Sequence, residues 1–211
     1  MRAALPALAA AALLVALGTG AAVASPSVEE ARIQATLVGD SVSASISYVP
    51  TAEARLRRGL SLRLDAAVCR RLVQPSCTSG GQAPASALQA VRSYGRALGD
   101  VLVVNVGHNE DGRGYGIGID QVLRAALSQG AKGVVWVTLR EQGQYAALYA
   151  VTNRAIRRTA KRWPQMQVAD WNAHGAGKPW FGTDGLHLSP TGAAALAAFL
   201  RAHVLRAARA P

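Results

Sequence analysis

The run Val101-Leu102-Val103-Val104-Asn105-Val106 constrains the fold more than any other stretch of this sequence. It is continuous in apolar, mostly β-branched residues. Strands of that kind are covered on both faces, which is the habit of parallel sheets flanked by helices. Four further segments read as strands: Ala35 to Val38, Leu60 to Ala67, Gly133 to Leu139 and Met166 to Ala169. Helical spacings separate them. Ala87, Leu88, Val91, Tyr94 and Leu98 recur at helical intervals within Pro84 to Leu98, and Ile119 to Ser128 is closed by Gly130. The amphipathic segment Tyr145 to Trp163 stops at Pro164, and Thr191 to Ala208 is a closing helix rich in Ala and Leu. This alternation predicts an α/β fold: a three-layer α/β/α sandwich with a five-stranded parallel sheet and right-handed crossovers. In such a sheet the chemistry gathers at the carboxyl ends of the strands.

The chain has 211 residues, 50% of them hydrophobic and 17% charged, which suits one globular domain with a sizeable core. Met1-Arg2 followed by an apolar run that ends in Ala22-Val23-Ala24 reads as a secretory signal over residues 1–24, leaving a domain over residues 25–211. A retained membrane anchor is the other reading of that segment. With cleavage, the membrane is met only in transit and the domain works outside the cytoplasm, secreted or in the cell envelope. Cys69 and Cys77, eight positions apart around Pro75, predict a local disulfide in an exported chain. Two thiols without CxxC or HExxH spacing supply too few ligands for a metal site, and no cofactor motif is present. The formal charge of +11 favours polyanionic partners, of which export makes anionic lipid and acidic envelope polymers more natural than nucleic acid. An RRM-like strand motif for nucleic acid is absent. The chain is expected to be a monomer.

Three short segments follow a strand or precede a helix on the expected active edge: Gly39-Asp40-Ser41, Gly107-His108-Asn109 and Asp184-Gly185-Leu186-His187. Each has an ordinary structural explanation, since Asp and Ser cap helices, Asn favours turns, and a His before Ser189-Pro190 can simply precede a helix. Their joint occurrence is harder to explain that way. A serine hydroxyl needs a base, the base needs an orienting carboxylate, and an acyl oxyanion needs fixed donors. Ser41, His187, Asp184 and Asn109 supply one of each.

In these blocks and their order, over nearly the whole mature chain, the sequence resembles the SGNH hydrolase superfamily, also called GDSL-type esterases and lipases. The resemblance implies a flavodoxin-like sandwich with Ser41 as nucleophile, its own backbone N–H in the oxyanion hole, Asn109 as a side-chain donor, and a catalytic triad completed by Asp184 and His187. Two departures stand out. Glu110 occupies a place where an aspartate is usual. The block that normally supplies a glycine N–H reads Asp65-Ala66-Ala67-Val68-Cys69-Arg70-Arg71, which is more similar to the acyltransferase-like branch found in peptidoglycan O-acetyltransferases. By that likeness the N–H of Cys69 is the remaining oxyanion donor, held by the disulfide to Cys77.

The implied activity is that of an extracytoplasmic serine esterase or O-acyltransferase, acting on acyl (acetyl) esters of carbohydrate or cell-envelope substrates. The alternatives are a lipase or phospholipid esterase, and a non-catalytic binder of acidic envelope polymers. Arg140, just beyond the fourth strand, is a candidate to hold a substrate anion, or else it pairs with Glu141. Trp180, with Phe181, is a candidate wall for an acyl or sugar pocket. His174 and His203 read as surface residues, and His108 fills the variable place of its block.

Overall fold

The structure, a computed structural model, describes residues 32–210, so the segment read as a signal, 1–24, lies outside the described residues. Five parallel strands form one sheet: β1 (Ile33–Gly39), β2 (Leu60–Ala66), β3 (Val101–Asn105), β4 (Gly133–Val137) and β5 (Met166–Ala169), in the order β2-β1-β3-β4-β5. The expected α/β/α sandwich is therefore what this sequence makes. β3 and β4 are buried along their whole length, as their uninterrupted apolar runs required.

The strands divide their side chains between two cores. Leu102, Val104, Val134 and Trp136 face α3 (Ala87–Tyr94), α4 (Tyr115–Ser128) and α5 (Ala146–Ala160). Val101, Val103, Val135 and Val137 face α1 (Ser41–Ser47), α2 (Pro50–Arg57), α6 (Trp171–His174) and α7 (Pro190–Ala207). From β1 the chain passes to β2 on one side, and β3 lies on the other. The strand order therefore reverses beside β1, which opens a crevice at the carboxyl ends of β1 and β3.

Several elements differ from the sequence reading. Helices α1 and α2 fill a stretch in which only a turn was expected. Ser41-Val42-Ser43-Ala44-Ser45-Ile46-Ser47 has no helix-favouring long side chains, but Val42, Ser43, Ala44 and Ile46 are buried, so packing decides. Helix α4 begins at Tyr115, before the expected start at Ile119, and Gly118 within it lies against Leu72: a Cβ there would stand 2.9 Å from Leu72 Cδ2. The segment Pro84 to Leu98 is a helix only over α3, where Ser86 and Gln89 form a reciprocal capping box, and continues as a 3-10 turn over Gly95–Leu98.

Candidate active site

Strand β1 delivers Ser41. Asp40 caps α1, its carboxylate accepting the Val42 N–H at 3.1 Å, and Ser41 is the first residue of the helix, on the carboxyl edge of the sheet. Gly39 is there for space rather than for a turn. A Cβ on it would lie 2.3 Å from the Cβ of Ser43, so any side chain would push α1 off the strand. The fully buried Ser43 in turn accepts a hydrogen bond from Asn105 Nδ2 at 2.8 Å, which ties α1 to the end of β3.

Asp184 and His187 arrive on a hairpin. Gly182 N–H donates to the His187 carbonyl at 2.7 Å and Ser189 N–H donates to the Trp180 carbonyl at 2.9 Å. Within the tip, Asp184 Oδ1 accepts the N–H groups of Leu186 and His187 at 2.9 and 3.0 Å, which turns Oδ2 toward the imidazole. His187 Nδ1–H donates to Oδ2 at 2.6 Å, and Ser41 Oγ lies 3.0 Å from Nε2. The three groups thus stand in hydrogen-bond contact although 146 residues separate Ser41 from His187. The hydrogen bond from His187 holds the Asp184 carboxyl below the usual carboxylate range; slight burial opposes it, and the two backbone N–H groups add to it. The carboxylate is therefore ionised at neutral pH, as a partner for an imidazolium must be.

The loop after β2 carries the two cysteines. Cys69 and Cys77 form the expected disulfide. Among the described residues Cys69 alone outside glycine has a positive φ, 69°, the left-handed backbone that a glycine at this place would adopt freely. Neither its N–H nor that of Ser41 has an acceptor among the described residues. Asn109 Nδ2 donates to the Arg70 carbonyl at 3.1 Å, which fixes the amide plane and leaves its second N–H free. Arg70 itself is buried and knots this region. Its guanidinium donates to the Asp65 carboxylate at 2.8 Å, the Asp65 carbonyl at 2.7 Å and the Ala85 carbonyl at 3.1 Å.

The loop after β3 is held from two sides. Glu110, in place of the usual aspartate, accepts the Leu72 N–H, and burial pushes its carboxyl above the ordinary range. The fully buried Asp40 does more than cap a helix. Its Oδ2 accepts the N–H of Gly107 at 3.1 Å, the N–H of His108 at 3.2 Å and His108 Nδ1–H at 2.9 Å. The side chain of His108, which fills the variable place of its block, is accordingly buried and packs edge-on against Tyr149 at 5.3 Å. A one-residue reading gave no signal for this pair, because its members are 68 positions apart.

No family model matches this chain and no curated relative matches it. Solved structures do. The C-terminal catalytic domain of Streptococcus pneumoniae peptidoglycan O-acetyltransferase A (OatA), determined with a methylsulfonyl adduct, is 22% identical with a TM-score of 0.63, covering 84% of this chain and 94% of that one. Est24, a carbohydrate acetylesterase from Sinorhizobium meliloti, is 13% identical with a TM-score of 0.65, covering 82% and 99%. The fold is that of the SGNH hydrolases. A family two carbohydrate esterase from Cellvibrio japonicus is 18% identical with a TM-score of 0.57, and the match spans 84% of this chain but 62% of that larger one.

The remaining expected residues fall around this SGNH framework in different ways. Arg140 does not pair with Glu141, which instead accepts from Asn153 Nδ2 at 2.8 Å. The Arg140 guanidinium lies 3.6 Å over the Phe181 ring and donates to the Gly185 carbonyl and to Gln142 Oε1, so one Nη group serves the hairpin tip and the other its own loop after β4. Trp180 is half-buried at the hairpin base, stacked on the buried Trp171 at 5.6 Å and 14°. His203, read as a surface residue, is buried, and its Nδ1 is 2.9 Å from Gln167 Nε2. His174 is exposed as expected. Beside Asp184 opens a cavity of about 530 Å³ lined by Gln142, Gln144, Tyr145, Tyr149, Thr183 and Leu186. Among the described residues no group of three or more His, Cys, Asp or Glu side chains is placed to hold a metal ion. A hydroxyl hydrogen-bonded to an imidazole that is itself paired with a carboxylate is a group from which a proton can be taken.

Proposed function

We propose that this protein is an extracytoplasmic serine esterase or O-acyltransferase that acts on acyl, chiefly acetyl, esters of carbohydrate or cell-envelope substrates. The observation that carries the reading is the relay from Ser41 Oγ through the His187 imidazole to the Asp184 carboxylate, at 3.0 and 2.6 Å, on the carboxyl edge of an SGNH fold. In this reading His187 Nε2 takes the Ser41 proton as Oγ attacks the ester carbonyl carbon. The oxyanion is met by the N–H groups of Ser41 and Cys69 and by the amide of Asn109. His187 then returns the proton to the departing alkoxide oxygen and an acyl-Ser41 ester remains. Water releases the acyl group in hydrolysis, and a sugar hydroxyl accepts it in transfer, with His187 as base in either case.

The carbohydrate part of the proposal draws support from the acetylesterase and O-acetyltransferase structures that share the fold. The amides, hydroxyl and tyrosines lining the cavity beside Asp184 fit a hydroxyl-rich partner. Extracytoplasmic placement is supported by the disulfide between Cys69 and Cys77 together with the signal-like residues 1–24. Hydrolysis of p-nitrophenyl acetate by the wild type and by Ser41→Ala tests the proposal. The serine-dependent rate is expected to vanish in the variant, and equal rates would sink it.

A further inference from the structure

Two depressions border helix α7 on the face that carries α2 and α6, and they share Trp180 and Ala195. The larger, about 650 Å³, is lined by His174, Lys178, Phe199, His203 and Arg206. The other, about 510 Å³, is lined by Val49, Thr51, Arg55, Pro190 and Thr191. Neither lining contains an Asp or a Glu. Lys178, Arg206 and Arg55 are exposed, and among the described residues none of them makes an ion pair or a side-chain hydrogen bond. Some cations elsewhere on the surface are matched, as Arg57 is by Glu53, Arg157 by Asp170 and Arg162 by Asp120. Others, Arg92 and Arg124 among them, are not matched among the described residues, so it is the fixed rings beside Lys178 and Arg206 that set this patch apart.

Trp180 stands between the two depressions. Its indole is backed by the buried Trp171 in a near-parallel stack, and the Lys178 ammonium lies 6.0 Å from its ring centre. A fixed, half-exposed indole offers an electron-rich face on which the C–H bonds of a sugar ring can lie. The adjoining rings are fixed as well: His174 stacks on Phe199 at 4.6 Å, and Phe199 lies 4.5 Å from His203. The field in the larger depression is positive. Burial first, and then Arg206 and His174, push His203 down to about 4, with no carboxylate acting in the other direction.

We propose that these two depressions form one groove that binds an anionic polysaccharide, with Trp180 stacking on a sugar ring and Lys178, Arg206 and Arg55 meeting its carboxylate or phosphate groups. The groove gives the proposed esterase or acyltransferase a polymeric, acidic substrate, and in that sense it rests on the catalytic reading. The link to the triad is covalent and short. Trp180 is the base of the hairpin that presents Asp184 and His187, joined to it by the Ser189 N–H bond to its carbonyl at 2.9 Å. Helix α7, which floors both depressions, begins at Pro190, directly after that hairpin. A chain lying in the groove is therefore held against the same element that carries the base. A membrane surface is a poorer match, because the cations sit beside recessed rings rather than on a protruding apolar face.

Titration calorimetry on the full chain carrying Ser41→Ala separates this proposal from the catalytic one, since binding is read without turnover. Polygalacturonate is expected to bind and neutral dextran of similar length not to. The double variant Lys178→Glu/Arg206→Glu should weaken polygalacturonate binding by about tenfold or more. Arg92→Glu/Arg124→Glu, which alters a separate depression near α3 and α4, should leave it unchanged. Trp180→Phe should bind better than Trp180→Ala, both checked for folding by circular dichroism. Equal affinity of the two charge-reversed proteins would overturn the groove. So would inorganic polyphosphate binding as tightly as polygalacturonate with no effect of Trp180→Phe or Trp180→Ala, since charge alone would then explain the association. If polygalacturonate binds as stated but p-nitrophenyl acetate is not hydrolysed by the wild type, the groove stands and the catalytic reading falls.

Discussion

Asp40→Ala should damage this protein more than any substitution of an exposed carboxylate. In the wild type the fully buried carboxylate accepts N–H groups from Val42, Gly107 and His108 and pairs with His108 Nδ1, so one side chain fixes both the start of α1 and the loop that carries Asn109. Removing one partner of a buried pair and stranding its donors costs about 3–5 kcal/mol. In a chain of this size each kcal/mol lowers Tm by about 2–4 °C, so a fall of roughly 6–20 °C is expected. Asp111→Ala, at a carboxylate that is 59% exposed, is the control and should shift stability by less than about 0.5 kcal/mol. Urea denaturation reads both, as a change of midpoint at constant slope. The pH dependence has a definite sign. Burial raises the Asp40 carboxyl, but the charge and hydrogen bonds of His108, with the Val42 N–H, outweigh it and hold the group below its ordinary value. Its stabilisation is then fully present above the unfolded value of about 3.9 and is lost as pH falls through the lower folded value. The urea midpoint of the wild type should therefore fall more steeply below about pH 4 than that of Asp40→Asn. An Asp40→Ala protein within about 0.5 kcal/mol of the wild type would refute the reasoning.

Other substitutions report on the oxyanion side. Asn109→Ala should lower kcat by about 10²- to 10³-fold, the usual cost of one oxyanion donor, with KM little changed. A fall in KM affinity alone, measured on p-nitrophenyl acetate, would remove Asn109 from that role. Cys69→Ser/Cys77→Ser opens a short loop whose closure contributes about 2.5 kcal/mol in the chain-entropy account, and it frees a residue held at φ 69°. We expect lower stability together with a kcat decrease that dithiothreitol reproduces in the wild type; unchanged kcat in both would dissociate the Cys69 N–H from catalysis.

How much of this was legible in the sequence follows from which interactions are local. The strands were, because β3 and β4 are buried on both faces and their apolar runs have no competing reading. The meeting of Ser41, His187 and Asp184 was also legible, since all three fall on blocks expected at one sheet edge, and the structure brings them into hydrogen-bond contact. Helices α1 and α2 were not. The Ser-rich α1 is stabilised by burial against the sheet and α7 rather than by propensity. The roles of Asp40, His108 and Arg70 were also hidden, since each acts on a partner distant in sequence or on backbone carbonyls. Gly39 was visible as a motif residue, but its physical role was not: its missing Cβ makes room for Ser43 on the following helix. His203 was misjudged because helical position alone did not reveal that it faces Gln167 on β5.

The central claim is that Ser41 is an activated nucleophile, and covalent labelling tests it most directly. Methanesulfonyl fluoride transfers a methylsulfonyl group to an attacking serine oxygen, expels fluoride, and needs a base for the serine proton. Peptide mapping by mass spectrometry of the treated wild type should show one such group, on Ser41, and His187→Ala should take it up far more slowly. An unmodified Ser41, or equal labelling of the wild type and His187→Ala, would contradict the account.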